Sequence, residues 1–128
     1  MTYRVLLCDD EIPILRAAEF KIKKAGHEVR VASDGEEAWE LIREQMPDVL
    51  VTDCQMPRLD GLGLVRRLRE HDETRHLPVL MLTAKGFELS AAELAERYNV
   101  LELIAKPFSP RYLLDTITRV LEEQTARV

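Results

Sequence analysis

Residues 3–11 read Tyr3-Arg4-Val5-Leu6-Leu7-Cys8-Asp9-Asp10-Glu11, a nearly unbroken apolar run that stops abruptly at three acids. The run is too short for a buried helix. Its continuity predicts a strand covered on both faces, the habit of parallel sheet. Helical period follows at once: Leu15, Ala18, Ile22 and Ala25 recur at spacings of three and four over residues 13–25, with Pro13 in the first turn and Gly26 as the stop. Residues 27–32 (H-E-V-R-V-A) then alternate polar and apolar, which predicts an edge strand with one wet side. Ser33 or Asp34 caps a second helix whose inner face is Ala38, Leu41 and Ile42, closed by Met46-Pro47. Residues 48–52 (D-V-L-V-T) suit a third strand in the middle of the sheet.

The second half repeats this rhythm. A short helix over 62–70 turns Leu64, Val65 and Leu68 inward, and a polar loop leads to a fourth strand at 78–83 (P-V-L-M-L-T). Ser90 caps a helix through Ala91, Leu94, Ala95 and Tyr98. Residues 101–105 form the fifth strand, and 110–123 the fifth helix, with Leu113, Leu114, Ile117, Val120 and Leu121 inward. Strands alternating with helices require right-handed crossovers and helices on both faces. The expected fold is therefore α/β: an open, doubly wound, five-stranded parallel sheet, forming one domain over 1–128 with its core at about 3–124.

Composition narrows the function. The chain has 128 residues, 46% hydrophobic and 32% charged, enough for a core without metal or disulfide staples. Lys and Arg total 18 against 23 Asp and Glu, a net charge of -5 that argues against direct nucleic-acid binding. No apolar run approaches the ~20 residues needed to span a bilayer, and Met1-Thr2-Tyr3-Arg4 lacks a signal peptide's pattern. Cys8 and Cys54 are too few for a secreted disulfide framework. A soluble, cytoplasmic, acidic domain without membrane attachment is expected.

Open α/β sheets bind their ligands outside the carboxyl ends of the strands. Strand one opens there onto Asp9, Asp10 and Glu11, strand three onto Asp53, strand four ends at Thr83, and strand five opens onto Lys106-Pro107. Singly, each has an ordinary explanation: an Asp after a strand is usually a cap or turn former, and a lone Lys is a solvated charge. Their convergence is different. Two like charges ~4 Å apart cost about 4 kcal/mol at an effective dielectric of 20, so Asp9, Asp10 and Asp53 need more cation than Lys106 supplies. Mg2+ fits best, since it takes one or two carboxylates, keeps several waters and works with phosphate oxygens. A carboxylate nucleophile, a metal and a fixed ammonium suit phosphoryl transfer. Asp53, on a central strand, is the expected nucleophile; Asp9 and Asp10 are metal ligands; Thr83 donates to a phosphoryl oxygen.

In combination these motifs resemble the response-regulator receiver domain of two-component signalling: C-D-D-E at 8–11, D-C-Q-M-P at 53–57, D-G at 60–61, L-T-A at 82–84 and K-P-F at 106–108. The resemblance covers essentially the whole chain. It implies a flavodoxin-like strand order of 2-1-3-4-5, with Asp53 as phospho-acceptor. Asp9, Asp10 and Asp53 would hold Mg2+ together with the backbone carbonyl of Gln55, and Thr83 and Lys106 would serve the phosphoryl group. It further implies a cis peptide between Lys106 and Pro107 that aims the lysine at the site. The phosphodonor would be a histidine kinase or histidine phosphotransfer protein, and helix one a docking surface for it. A phosphorylation-dependent shift would run from Ala84 through helix four and strand five to a downstream partner or output domain, with a phosphorylation-dependent dimer left open. Such a protein is a signalling switch, not an enzyme in the ordinary sense. The pattern departs at Leu103, where receivers often carry a Tyr or Phe that turns inward on phosphorylation. Switching is therefore expected to rest on backbone shifts after Thr83. Gln55 and Lys85 flank the path of an attacking water and would tune the lifetime of the phosphoryl group.

Other signals weigh less. In-strand alternation turns Cys8 away from Asp9, and buried free cysteine is the expectation over redox chemistry. His27, His71 and His76 lack zinc spacing. Trp39 reads as a packing residue. The lysines 21, 23 and 24 and the arginines of segment 66–75 read as solvated helix faces, the former able to steer an acidic partner. A haloacid-dehalogenase-like phosphatase would want an Asp at Gln55, and a flavin carrier a phosphate loop where Asp9, Asp10 and Glu11 would repel it. A phosphorylation-independent interaction module on the same fold remains the alternative. Little chain follows helix five, so no output domain is expected within this sequence; a stand-alone receiver and a piece of a longer regulator both stay open.

Overall fold

The computed structural model describes residues 2–84 and 90–126. Ten elements alternate: β1 (Arg4–Cys8), α1 (Ile12–Lys24), β2 (Glu28–Ala32), α2 (Gly35–Glu44), β3 (Val49–Asp53), α3 (Gly61–Glu70), β4 (Val79–Thr83), α4 (Ala91–Tyr98), β5 (Val100–Ala105) and α5 (Pro110–Ala126). The strands are all parallel, in the order β2-β1-β3-β4-β5. The expected doubly wound sheet and its strand order are both present.

Side-chain alternation along the central strands divides the core into two layers. Leu6, Cys8, Leu50, Val79 and Met81 face α2, α3 and α4, while Val5, Leu7, Val49, Val51, Leu80 and Leu82 face α1 and α5. Residues of β3 and β4 are buried throughout, whereas β2 is half-covered, as its polar alternation predicts for an edge. Asp34, Asp60 and Ser90 cap α2, α3 and α4 by accepting the backbone N–H of Glu37, Gly63 and Glu93. Element ends move by a few residues; β3 starts at Val49 and keeps Asp53 as its last residue because Asp53 still pairs with Leu82. α5 runs three residues past the expected 123, to Ala126. On α2, Trp39 is buried and Leu41 only half-buried, because the helix is rotated towards α3 and places Trp39 against the His71 ring at 4.9 Å.

The arginines of segment 66–75 are solvated only in part: Arg66 and Arg75 are exposed, whereas Arg67 and Arg69 are half-buried. Arg69, on the last turn of α3, donates from Nε to the carbonyl of Tyr98 (2.7 Å) and from its two terminal nitrogens to those of Arg75 and Leu77 (both 2.9 Å) and Asn99 (3.2 Å). These carbonyls lie at the end of α4, where the last carbonyls of a helix lack an intrahelical partner, and in the turn before β4. A planar fork with five donors can join both segments at once; a lysine could not. Arg67 forms a two-pronged pair with Glu36 at 3.2 Å, linking α3 to α2.

Candidate functional site

The parallel order delivers the ends of β1, β3 and β5 to one edge of the sheet, and their acids and lysine meet there. One carboxylate oxygen from each of Asp9, Asp10 and Asp53 lies within 4.8 Å of the others. Asp9 and Asp53 are buried, at 2% and 5% exposure, while Asp10 is exposed. Lys106 comes in from the end of β5, its chain anchored by a bond from its N–H to the carbonyl of Thr83 (2.8 Å). Its ammonium is 2.9 Å from Asp9 Oδ2 and 3.3 Å from Asp53 Oδ2. The Lys106–Pro107 peptide is cis.

Asp53 is held rigidly. It ends a fully buried strand, and its Oδ1 accepts the N–H of Cys54 at 2.9 Å. Gly61 packs against its backbone: a Cβ there would stand 2.0 Å from the carbonyl oxygen of Asp53, so the D-G pair at 60–61 combines a helix cap with a position that only glycine fits. Burial, and then the charge of Asp9, raise the Asp53 carboxyl above its ordinary value against the pull of Lys106. Burial works against the Lys106 charge too, but its contacts with Glu11 and Asp9 and the charge of Asp53 outweigh that and raise its pKa.

The donor set fits a hard divalent cation. Asp9 Oδ2 is buried and has no hydrogen-bond partner among the described residues; its contact with Lys106 is an ion pair off the hydrogen-bonding direction. A spread of at most 4.8 Å matches an octahedral magnesium shell, about 4.2 Å across, with room for a water-bridged ligand.

Not every expected site residue touches this centre. Thr83 is buried, and among the described residues its hydroxyl makes a long contact, 3.4 Å, to the carbonyl of Ala84. Gln55 is exposed in the loop after β3, and Ala84 and Pro107 are exposed at the ends of their strands. Leu103 is half-buried and packs on the α2–α4 side of the core. Lys85 lies outside the described residues. Cys8 turns away as expected, its thiol near Met56 Sδ and the carbonyl of Asp34. Burial pushes both the Cys8 and Cys54 thiols up to about 12, which removes thiolate chemistry at neutral pH. One participant was not singled out: Glu11, whose Oε1 accepts from Lys106 Nζ at 2.6 Å. Its position directly after Asp9-Asp10 was the available signal.

A model of the response regulator receiver domain matches residues 5–118. The chain belongs to this family. A receiver domain is a signalling switch of two-component systems rather than a classical enzyme. A curated relative from Guillardia theta, named "Probable transcriptional regulator ycf27", is 40% identical over 123 residues, covering 92% of this chain and 45% of its own. The receiver domain thus spans about half the length of the curated relatives it matches. Among solved structures, chemotaxis response regulator CheY4 of Vibrio cholerae is 30% identical with a TM-score of 0.83, over 94% of this chain and 99% of that one. NtrX from Brucella abortus is 29% identical with a TM-score of 0.87, over 99% of this chain but 29% of NtrX. The same receiver architecture therefore occurs both in a chain of this length and inside a much longer one. No helix among the described residues is long and apolar enough to cross a membrane.

Proposed function

We propose that this receiver domain is a phosphorylation-dependent switch that takes a phosphoryl group onto Asp53 from a histidine kinase or histidine phosphotransfer protein. The observation that carries this reading is the convergence of Asp9, Asp10 and Asp53 with Lys106 at one strand-end edge, where the acid repulsion calls for a divalent cation. Asp9, Asp10, Asp53 and the backbone carbonyl of Gln55 would hold Mg2+, which when bound offsets charge on the carboxylates and on the phosphoryl oxygens. Asp53 supplies the nucleophile: a carboxylate oxygen attacks phosphorus, the bond from phosphorus to the donor imidazole nitrogen breaks, and the imidazole leaves with the electron pair. Lys106 neutralises equatorial phosphoryl oxygens, and the Thr83 hydroxyl, bound only weakly in the resting form, turns to donate to one of them.

The switch then follows from Thr83 and Lys106. Thr83 ends β4 and Lys106 directly follows β5, the strand that packs on α4, so their movement shifts Ala84, Leu103 and Pro107 and with them the α4–β5–α5 face read by a partner or output domain. Leu103 has no ring to swing, so the change is carried by backbone and repacking. We place the whole chain, 1–128, in one cytoplasmic receiver unit that does not itself bind nucleic acid, with phosphorylation-dependent dimerisation as one way to act. The alternative, a constitutive interaction module, is favoured only by Leu103. Incubation with Mg2+ and a small acyl phosphate should add one phosphate to the wild type and none to Asp53→Asn; an unmodified wild type would sink the switch.

A further inference from the structure

Lys106 is gripped most closely by a residue outside the three-aspartate cluster. Its contact with Glu11 Oε1, at 2.6 Å, is shorter than those with Asp9 (2.9 Å) and Asp53 (3.3 Å). Glu11 also occupies the N-cap of α1, where a side chain ordinarily accepts a backbone N–H of the first turn. It makes no such bond, whereas the cap residues of α2, α3 and α4 do. The carboxylate is turned off the helix end onto the ammonium. Meanwhile the Glu11 N–H donates to Asp9 Oδ1 at 2.9 Å, so one residue orients both an acid and the lysine.

We propose that Glu11 is a latch: it holds Lys106 in the resting domain and must release it before the ammonium can serve a phosphoryl group on Asp53. The proposal rests on the phosphoryl-switch reading above. A phosphoryl group replaces the single charge of Asp53 by roughly -2 and brings oxygens that form short, charge-assisted bonds with an ammonium. The same charge repels the Glu11 carboxylate. Of the two other acids on Lys106, only Glu11 can leave cheaply: its side chain is 53% exposed, against 2% for Asp9. Swinging outward, it keeps its hydration; Asp9 would have to stay buried. Glu11 is thus a positioning residue acting through Lys106, and it sets a threshold that the incoming phosphoryl group must exceed.

The test is binding of beryllofluoride with Mg2+ to the full chain, for wild type, Glu11→Gln and Glu11→Asp, with folding checked by circular dichroism. The Gln variant removes the charge; the Asp variant keeps it but is one methylene too short for the 2.6 Å contact. Both should bind about three- to tenfold more tightly than wild type, with the gap narrowing in high salt because Glu11 is half-exposed. The Lys106 ammonium NMR signal of the free protein should move in both variants. Tighter binding by Gln alone, with Asp like wild type, would reduce the effect to bulk charge and overturn the latch. Unchanged or weaker binding in both would overturn it as well. A wild type that ignores beryllofluoride would overturn the phosphoryl reading itself, and the latch with it.

Discussion

Neutralising Asp53 should make the magnesium-free protein more stable while ending its function. One carboxylate oxygen of Asp9 and one of Asp53 lie no more than 4.8 Å apart, so their repulsion is worth at least about 3.5 kcal/mol at an effective dielectric of 20. Lys106 at 3.3 Å returns about 5 kcal/mol of attraction on the same scale, but it also serves Asp9 and Glu11. Burying Asp53 costs several kcal/mol more, roughly, and tips the balance, in line with its raised pKa. A group whose folded pKa is raised takes up a proton more readily folded than unfolded. Its ionised form therefore costs stability above the folded pKa, and that cost fades as pH falls through it towards the unfolded value. Asp53→Asn keeps an oxygen for the Cys54 N–H and should gain on the order of 1 kcal/mol at pH 7, a few degrees in Tm. The gain over wild type should shrink as pH falls into the carboxylate range. Urea unfolding of both proteins at matched pH, with and without Mg2+, measures this. Magnesium at ten times its Kd should stabilise the wild type by about 1.4 kcal/mol and the variant less. An Asn variant less stable than magnesium-free wild type at pH 7, or a gain that grows on acidification, would refute the electrostatic account.

Further outcomes follow from other contacts. Arg69→Ala strands the carbonyls of Tyr98, Leu77, Arg75 and Asn99 and should cost about 3 kcal/mol in urea unfolding, with Arg69→Lys recovering less than half. Gly61→Ala drives a methyl into the Asp53 carbonyl, so it should cost at least about 2 kcal/mol and slow labelling by acyl phosphate; an unchanged labelling rate would show that β3 yields easily. With both thiols pushed up to about 12 by burial, Cys8 and Cys54 of the native protein should resist a disulfide reagent at pH 8 and react at the rate of unfolding; fast native labelling would contradict their placement.

Much of this was legible in the chain because burial and period are local. Apolar runs such as Val5–Leu7 and the three-and-four spacing of α1 depend only on which faces are covered, so element order emerged with errors confined to the ends. The strand-end acids were legible because parallel strands present their carboxyl ends together. Long-range polar geometry was not. Arg69 resembles any surface arginine on a helix until the α4–β5 junction folds against it, and nothing in the spacing of residues 66–75 announces those carbonyls. Glu11 meets Lys106 across 95 residues of chain, and its diversion from the helix cap is visible only once the lysine is in place. The turn of α2 that buries Trp39 in preference to Leu41 likewise depends on α3.

The proposed switch depends on a phosphoryl group carried by Asp53. Borohydride reduces an aspartyl phosphate to homoserine, so treating the domain with Mg2+ and acyl phosphate, then with borohydride, marks the acceptor permanently. Peptide mass spectrometry should find homoserine at position 53 and nowhere else, with the mark absent when Mg2+ is chelated. Homoserine at Asp9 or Asp10, a phosphate on another residue, or no mark at all would contradict the account.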